Sequence, residues 1–194
     1  MSRAFVLGNG TSREHFDLQR LVGKGKIYAC NAVYRTFAPD YLIAVDPKMV
    51  HEIVGNNYHL DGEVWTNYNK AYDKYSNLRY FDPNKGWSSG PTALWKATKD
   101  WYQEIWILGF DYTGLFDGKR VNNIYSSTPN YKKSEEPATY YGNWLRQTET
   151  VIRENSDITF YRVIKEGDFC PTVLNSYANY KIATYLEFEK AIFG

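Results

Sequence analysis

Cysteine is scarce in this chain. Only Cys30 and Cys170 occur among 194 residues. Two thiols cannot build a disulfide framework, so a reducing compartment is the default reading. No apolar run approaches the roughly 20 residues of a membrane-spanning helix. No apolar leader precedes the first strand-like run, which begins at residue 4. These absences predict a cytoplasmic protein, with peripheral contact at a membrane surface left open. Charge of one sign is also lacking: 23 Lys and Arg offset 22 Asp and Glu, for a net charge of +1. A global electrostatic case for nucleic-acid binding is therefore excluded. Histidine is scarce as well. His15 and His51 fall on predicted helices and His59 in a loop, and none has a partner at metal-ligand spacing. No metal site is expected, and no Ser-His-Asp order is readable. Surface or supporting roles are expected for the three.

Aromatic residues are plentiful, at 18% of the chain, with 18 Tyr and six Trp. They can fill a core while offering polar tips to sugars, bases or interfaces. Short apolar runs read as buried parallel strands at Ala4–Leu7, Ile27–Cys30, Tyr41–Val45, Val64–Thr66, Ile105–Leu108 and Ile158–Val163. Helical patterns lie between them, at 13–22, 48–54, 91–103 and 138–154. The alternation predicts a Rossmann-like α/β fold, with a mostly parallel sheet and helices on both faces. Residues 1–166 read as one Rossmann-like domain. Residues 112–137, rich in Gly, Asn, Ser and Pro, are longer than an ordinary connection and read as a lid insertion. Residues 167–194 read as a C-terminal helical extension packed on the domain.

In such sheets ligands bind beyond the carboxyl ends of the strands, and the polar signals collect there. Gly8-Asn9-Gly10-Thr11-Ser12 follows the first strand and opens a predicted helix. Glycines let backbone approach a phosphate, and free N–H groups at a helix start attract it. A dinucleotide fingerprint would need glycine at position 13, which is Arg13. The Walker pattern is absent too. Asn31 ends the second strand, where its amide could read a base or ribose or cap the next helix. Asp46-Pro47 follows the third, as a hydroxyl ligand or an N-cap with proline behind it. Ser88-Ser89-Gly90 precedes one helix, and Gly109-Phe110-Asp111-Tyr112 ends one strand.

Together these elements resemble the bacterial sialyltransferases that use CMP-sialic acid, of the lipooligosaccharide type. A looser similarity extends to the flagellin-accessory and pterin-pyrophosphokinase group. The family's Gly-Asn-Gly-Pro-Ser is matched by Gly8–Ser12, its Cys-Asn by Cys30-Asn31, and its Asn-Pro by Asp46-Pro47. Its Ser-Asn-Tyr-Asn is matched by Thr66-Asn67-Tyr68-Asn69, and its Thr-Ser-Gly by Ser88-Ser89-Gly90. Its Glu-Ile-Tyr-Leu-x-Gly-x-Asp strand is matched by Glu104–Asp111.

The resemblance implies a cytidine nucleotide held by Gly8, Asn9, Gly10, Ser12, Asn31, Asp46 and Asn67, with Ser89 and Gly90 near the sugar. It implies transfer from a nucleotide sugar, itself a substrate and not a cofactor, to a hydroxyl on a glycan or another acceptor. Asp111, Tyr112 and Asn143 would form the catalytic set. Two departures stand out. Asn143 occupies the place of the family's basic His, and asparagine cannot take a proton near neutral pH. Asp46 replaces an asparagine. The base would then be Asp111 or Asp46, ahead of His51. Tyr112, Tyr125 or Tyr131 would support the departing phosphate. Two alternatives stand beside the transferase: a non-catalytic nucleotide binder, and a magnesium-dependent pyrophosphokinase using Asp46 and Asp111. A homo-oligomer is compatible with all three.

Overall fold

The computed structural model describes residues 2–194. Eight parallel strands form one open sheet: β1 (Arg3–Leu7), β2 (Lys26–Cys30), β3 (Tyr41–Ile43), β4 (Val64–Thr66), β5 (Leu78–Tyr80), β6 (Glu104–Leu108), β7 (Thr159–Ile164) and β8 (Tyr180–Thr184). Their spatial order is β5-β4-β3-β2-β1-β6-β7-β8. The sequence therefore runs outward from β1 in one direction, then returns and runs outward in the other. The seam between β1 and β6 is the switch point, paired in register from Arg3↔Glu104 to Leu7↔Leu108.

The six expected strands are present within one or two residues. β1 and β6 are central and covered on both faces, so they read as continuous apolar runs. Full burial of each Val, Leu, Ile or Phe contributes about 1.5–3 kcal/mol. Alternate side chains of β1 enter opposite cores. Phe5 and Leu7 join Met49, Val50 and Ile53 of α1 (Pro47–Gly55) and Phe188 and Ile192 of α6 (Tyr185–Phe193). Ala4 and Val6 join Ala93, Leu94 and Ala97 of α3 (Ser89–Thr98) and Val151 and Ile152 of α5 (Gly142–Glu154). The short α2 (Tyr58–Asp61) follows α1.

Several expectations need correction. Residues 13–22 do not form an α-helix. Two 3-10 turns, Thr11–Arg13 and Leu18–Leu21, replace it. Asp17 is the cause, because its carboxylate accepts from Gln19 N–H at 3.0 Å and starts a new turn mid-segment. The helix expected at 91–103 runs instead over Ser89–Thr98, and the chain turns out at Trp101, with φ 65°. The helix expected at 138–154 begins only at Gly142. His59 lies on α2 and is buried, not in a loop. The tail is not purely helical: β8 extends the sheet before α6, which opens with a Thr184–Glu187 capping box. Residues 112–137 hold only the one-turn α4 (Leu115–Gly118), in which Phe116 and Asp117 have positive φ.

Candidate functional site

The ends of β1 and β6 touch through two glycines. Gly8 N–H donates to Leu108 O at 2.8 Å, and Gly10 N–H donates to Gly109 O at 2.9 Å. A Cβ on Gly8 would stand 2.6 Å from the Gly109 carbonyl oxygen, and one on Gly109 equally close to that of Gly8. Gly109 also has φ +73°. A side chain on Gly10 would land on the Asp111 carboxylate.

Arg13 stands where a dinucleotide fingerprint needs glycine, and it is buried. Its Nε donates to Gly8 O at 2.5 Å and its Nη2 to Asn9 Oδ1 at 2.9 Å. Asn9 in turn donates through Nδ2 to Cys30 O at 3.1 Å, tying the end of β1 to the end of β2. A cation braces the turn from within. Asp111 accepts from Ser12 N–H at 3.1 Å, from the Ser12 hydroxyl, and from Asn122 Nδ2 at 3.0 Å.

Asn122 carries no signal in the sequence, yet it joins three segments. Its Oδ1 accepts from Thr11 N–H at 2.9 Å and from the Thr11 hydroxyl at 3.0 Å. Its Nδ2 reaches Asp111 and Thr113 O. Ile124 N–H donates to Asn9 O at 2.8 Å. Farther along, Asn130 donates to Glu52, and Arg35 to Thr128 Oγ1 and Pro129 O. The 112–137 segment is thus fastened at 122–124 to the turn after β1, and at 128–130 to the turn after β2 and to α1.

Between this segment, the β1 turn and the start of α5 lies a cavity of about 340 Å³. Asn9 and Gly10 contribute from the turn, and Ser88 from the approach to α3. Asn122, Tyr131 and Lys132 contribute from the connection, and Tyr140, Tyr141, Asn143 and Trp144 from around the start of α5. The lining offers amides, phenols, backbone and one ammonium group. None of its residues is a carboxylate or an imidazole. Burial pushes the Tyr131 and Tyr141 phenols upward; Tyr131 accepts a hydrogen bond from Ala32 N–H, and the Tyr141 hydroxyl donates to Asn122 O. Both therefore keep their protons at neutral pH and remain donors.

The other expected site residues are distributed as follows. Gly8, Asn9, Gly10, Ser12 and Asp111 come together at the seam. Asn31, at φ 55°, accepts from Ser89 Oγ at 3.0 Å, and Ser89 Oγ accepts from Val45 N–H at 3.1 Å. These two residues fasten the ends of β2 and β3 to α3, and Asn31 does not cap a helix. Gly90 lets α3 approach the Trp144 indole. Asp46 is exposed and caps α1, accepting from Lys48 N–H at 2.8 Å. Asn67 follows β4, with its Oδ1 buried and unpartnered. Tyr112 is buried against Phe110 and Trp144, with its ring under Arg162, and is absent from the cavity lining. Asn143 is exposed at the start of α5 and accepts from Arg146. His51 Nδ1 faces the Tyr75 hydroxyl at 2.9 Å, away from the cavity. Tyr125 is buried and packs on Tyr131. Among the described residues, no group of three or more His, Cys, Asp or Glu side chains could hold a metal ion.

An open parallel sheet with a cavity at its switch point defines the Rossmann-like α/β class. Within that class the chain is similar to the sialyltransferase CstII from Campylobacter jejuni, solved in complex with a substrate analogue, cytidine-5′-monophosphate. The two share 18% identity and a TM-score of 0.53, over 84% of this chain and 79% of that one. No family model and no curated protein matches the sequence.

Proposed function

We propose that this protein is a glycosyltransferase that takes a nucleotide-activated sugar, of the CMP-sugar type, as donor. The observation that carries the reading is the cavity beside the β1–β6 seam, where backbone, amides, phenol donors and Lys132 converge. Such a site matches a nucleoside monophosphate leaving group: the amides suit the base and ribose, and Lys132 with the phenols suits the phosphate. The fold shared with CstII supports the same class of donor.

The reaction would be displacement at the anomeric carbon by an acceptor hydroxyl, with the sugar–phosphate bond breaking as the new glycosidic bond forms. The hydroxyl proton must leave as well. With no carboxylate or imidazole in the cavity, the departing phosphate is the acceptor within reach. Asp111, with its carboxylate bound to Ser12 and Asn122, is assigned to positioning the turn. Asn143 would orient a hydroxyl.

That same lining favours a second reading, a nucleotide-binding protein that does not turn over. Calorimetry with CMP, UMP and ATP, with and without magnesium, separates the readings when paired with an assay of CMP-sugar hydrolysis. Metal-independent CMP binding with turnover is the expected result. CMP binding without turnover establishes the second reading. Magnesium-dependent ATP binding would overturn both.

A further inference from the structure

Arg162 lies on β7 between Ile107 of β6 and Ile182 of β8, and is 1% exposed. It takes part in no ion pair among the described residues. Its Nη1 is buried without a hydrogen-bond partner, as are the hydroxyls of Tyr112 and Tyr180. These groups are neighbours. The guanidinium sits 5.1 Å from the centre of the Tyr112 ring, and its charge opposes the upward push that burial gives both phenols. A buried cation and two buried hydroxyls without acceptors are costly unless something negative meets them.

Arg162 also forms part of the wall of a second cavity, of about 500 Å³, under the loop 113–118. Its lining shares only Asn122 with that of the first. Phe116 and Phe169, at 77% and 51% exposure, offer an apolar surface along it. Asp111, Asp117 and Asp168 stand in the same wall. Those acids disfavour any anion and a dianion most, although Asp111 and Asp168 already have donors of their own, in Ser12 with Asn122 and in Lys165 N–H, and Asp117 is exposed. A single planar oxyanion matches the guanidinium fork and adds the least repulsion. The volume is that of an ordinary small-molecule site.

We propose that this second cavity binds a ligand with one carboxylate and an apolar or ring-shaped body, the carboxylate held by Arg162 and the body by Phe116 and Phe169. The inference stands apart from the glycosyltransferase reading, because it uses neither the first cavity nor turnover.

Three probes share one ring and differ in the head group: benzoate, benzyl alcohol and phenyl phosphate. They are titrated into the full chain labelled with ¹⁵N, and the Arg162 Nε–H resonance is followed. Benzoate is expected to move that resonance and to saturate, with benzyl alcohol at least tenfold weaker. Saturating CMP should leave the benzoate affinity unchanged. Arg162→Gln should abolish binding, and Arg162→Lys, which keeps the charge, should retain part of it. The wild-type titration is decisive even if neither variant folds. No shift with any probe would make Arg162 a purely structural cation and overturn the site. Phenyl phosphate binding more tightly than benzoate would overturn the carboxylate assignment. Displacement of benzoate by CMP would overturn a separate site.

Discussion

Ser12 donates both its backbone N–H and its hydroxyl to Asp111, across the seam between β1 and β6. With Asn122, three donors converge on one carboxylate. Asp111→Asn would turn one acceptor oxygen into a donor facing donors. The expected cost is about 1–3 kcal/mol, read as a fall of several degrees in Tm. Turnover should fall with the geometry, but the shape of the pH–rate profile should not change. Loss of an acidic limb in Asp111→Asn would instead identify Asp111 as the general base.

Gly109→Ala tests the contact beneath that bond. The new methyl would meet the Gly8 carbonyl oxygen at 2.6 Å, from a backbone held at φ +73°. The variant should lose more than about 1 kcal/mol in chemical denaturation. Gly167→Ala is the control: φ is again positive, at +84°, but nothing lies within 4 Å. It should lose less than Gly109→Ala.

Glu52 predicts a dependence on acid. Burial works against its ionised form, yet hydrogen bonds from Arg35, Tyr34 and Asn130 hold the carboxyl down, at about 2. A carboxylate lowered in the folded state contributes stability that is present above its ordinary value of 4.5 and lost as pH falls from there toward 2. With allowance for solvent screening, the contribution is on the order of 1–2 kcal/mol. Glu52→Gln should lower stability at pH 7 and flatten its decline below pH 4.5. Equal slopes in the two proteins would refute this role.

The two thiols should differ in reactivity. Cys30 is buried, and burial pushes its thiol up to about 12, with Arg13 opposing. Cys170 is half-buried. Iodoacetamide should modify the folded chain once, at Cys170, and reach Cys30 only after unfolding. Mass spectrometry of the intact protein counts the adducts.

The centre of the sheet is legible in the sequence because burial on both faces writes itself as uninterrupted apolar runs, as in Phe5-Val6-Leu7 and Ile105–Leu108. The margins are not. β5 is Leu-Arg-Tyr, and β8 carries Lys181 and Thr184 among its apolar residues. Such polar edges protect a sheet from pairing with other chains, and that protection erases the strand signal. The turn after β1 is legible from its glycines. Asn122 is not, because its partners Thr11 and Asp111 are 111 and 11 positions away and only the folded chain brings them together. Arg13 reads as a broken fingerprint, whereas its guanidinium supports the turn that the fingerprint would have shaped. Asp46-Pro47 is legible either as a strand-end ligand or as an N-cap, and Asp46 caps α1.

The order of strands has a consequence for synthesis. From β1 to β5 each new strand lies next to the one before it, so this half of the sheet can assemble as the chain emerges from the ribosome. β1 then waits with one side unpaired for β6, about a hundred residues later in the chain. The turn that carries Asn9 and Gly10 has no Gly109 or Asp111 to rest on until that second half arrives. The nascent protein therefore completes this turn late, when the two halves close along the line between β1 and β6.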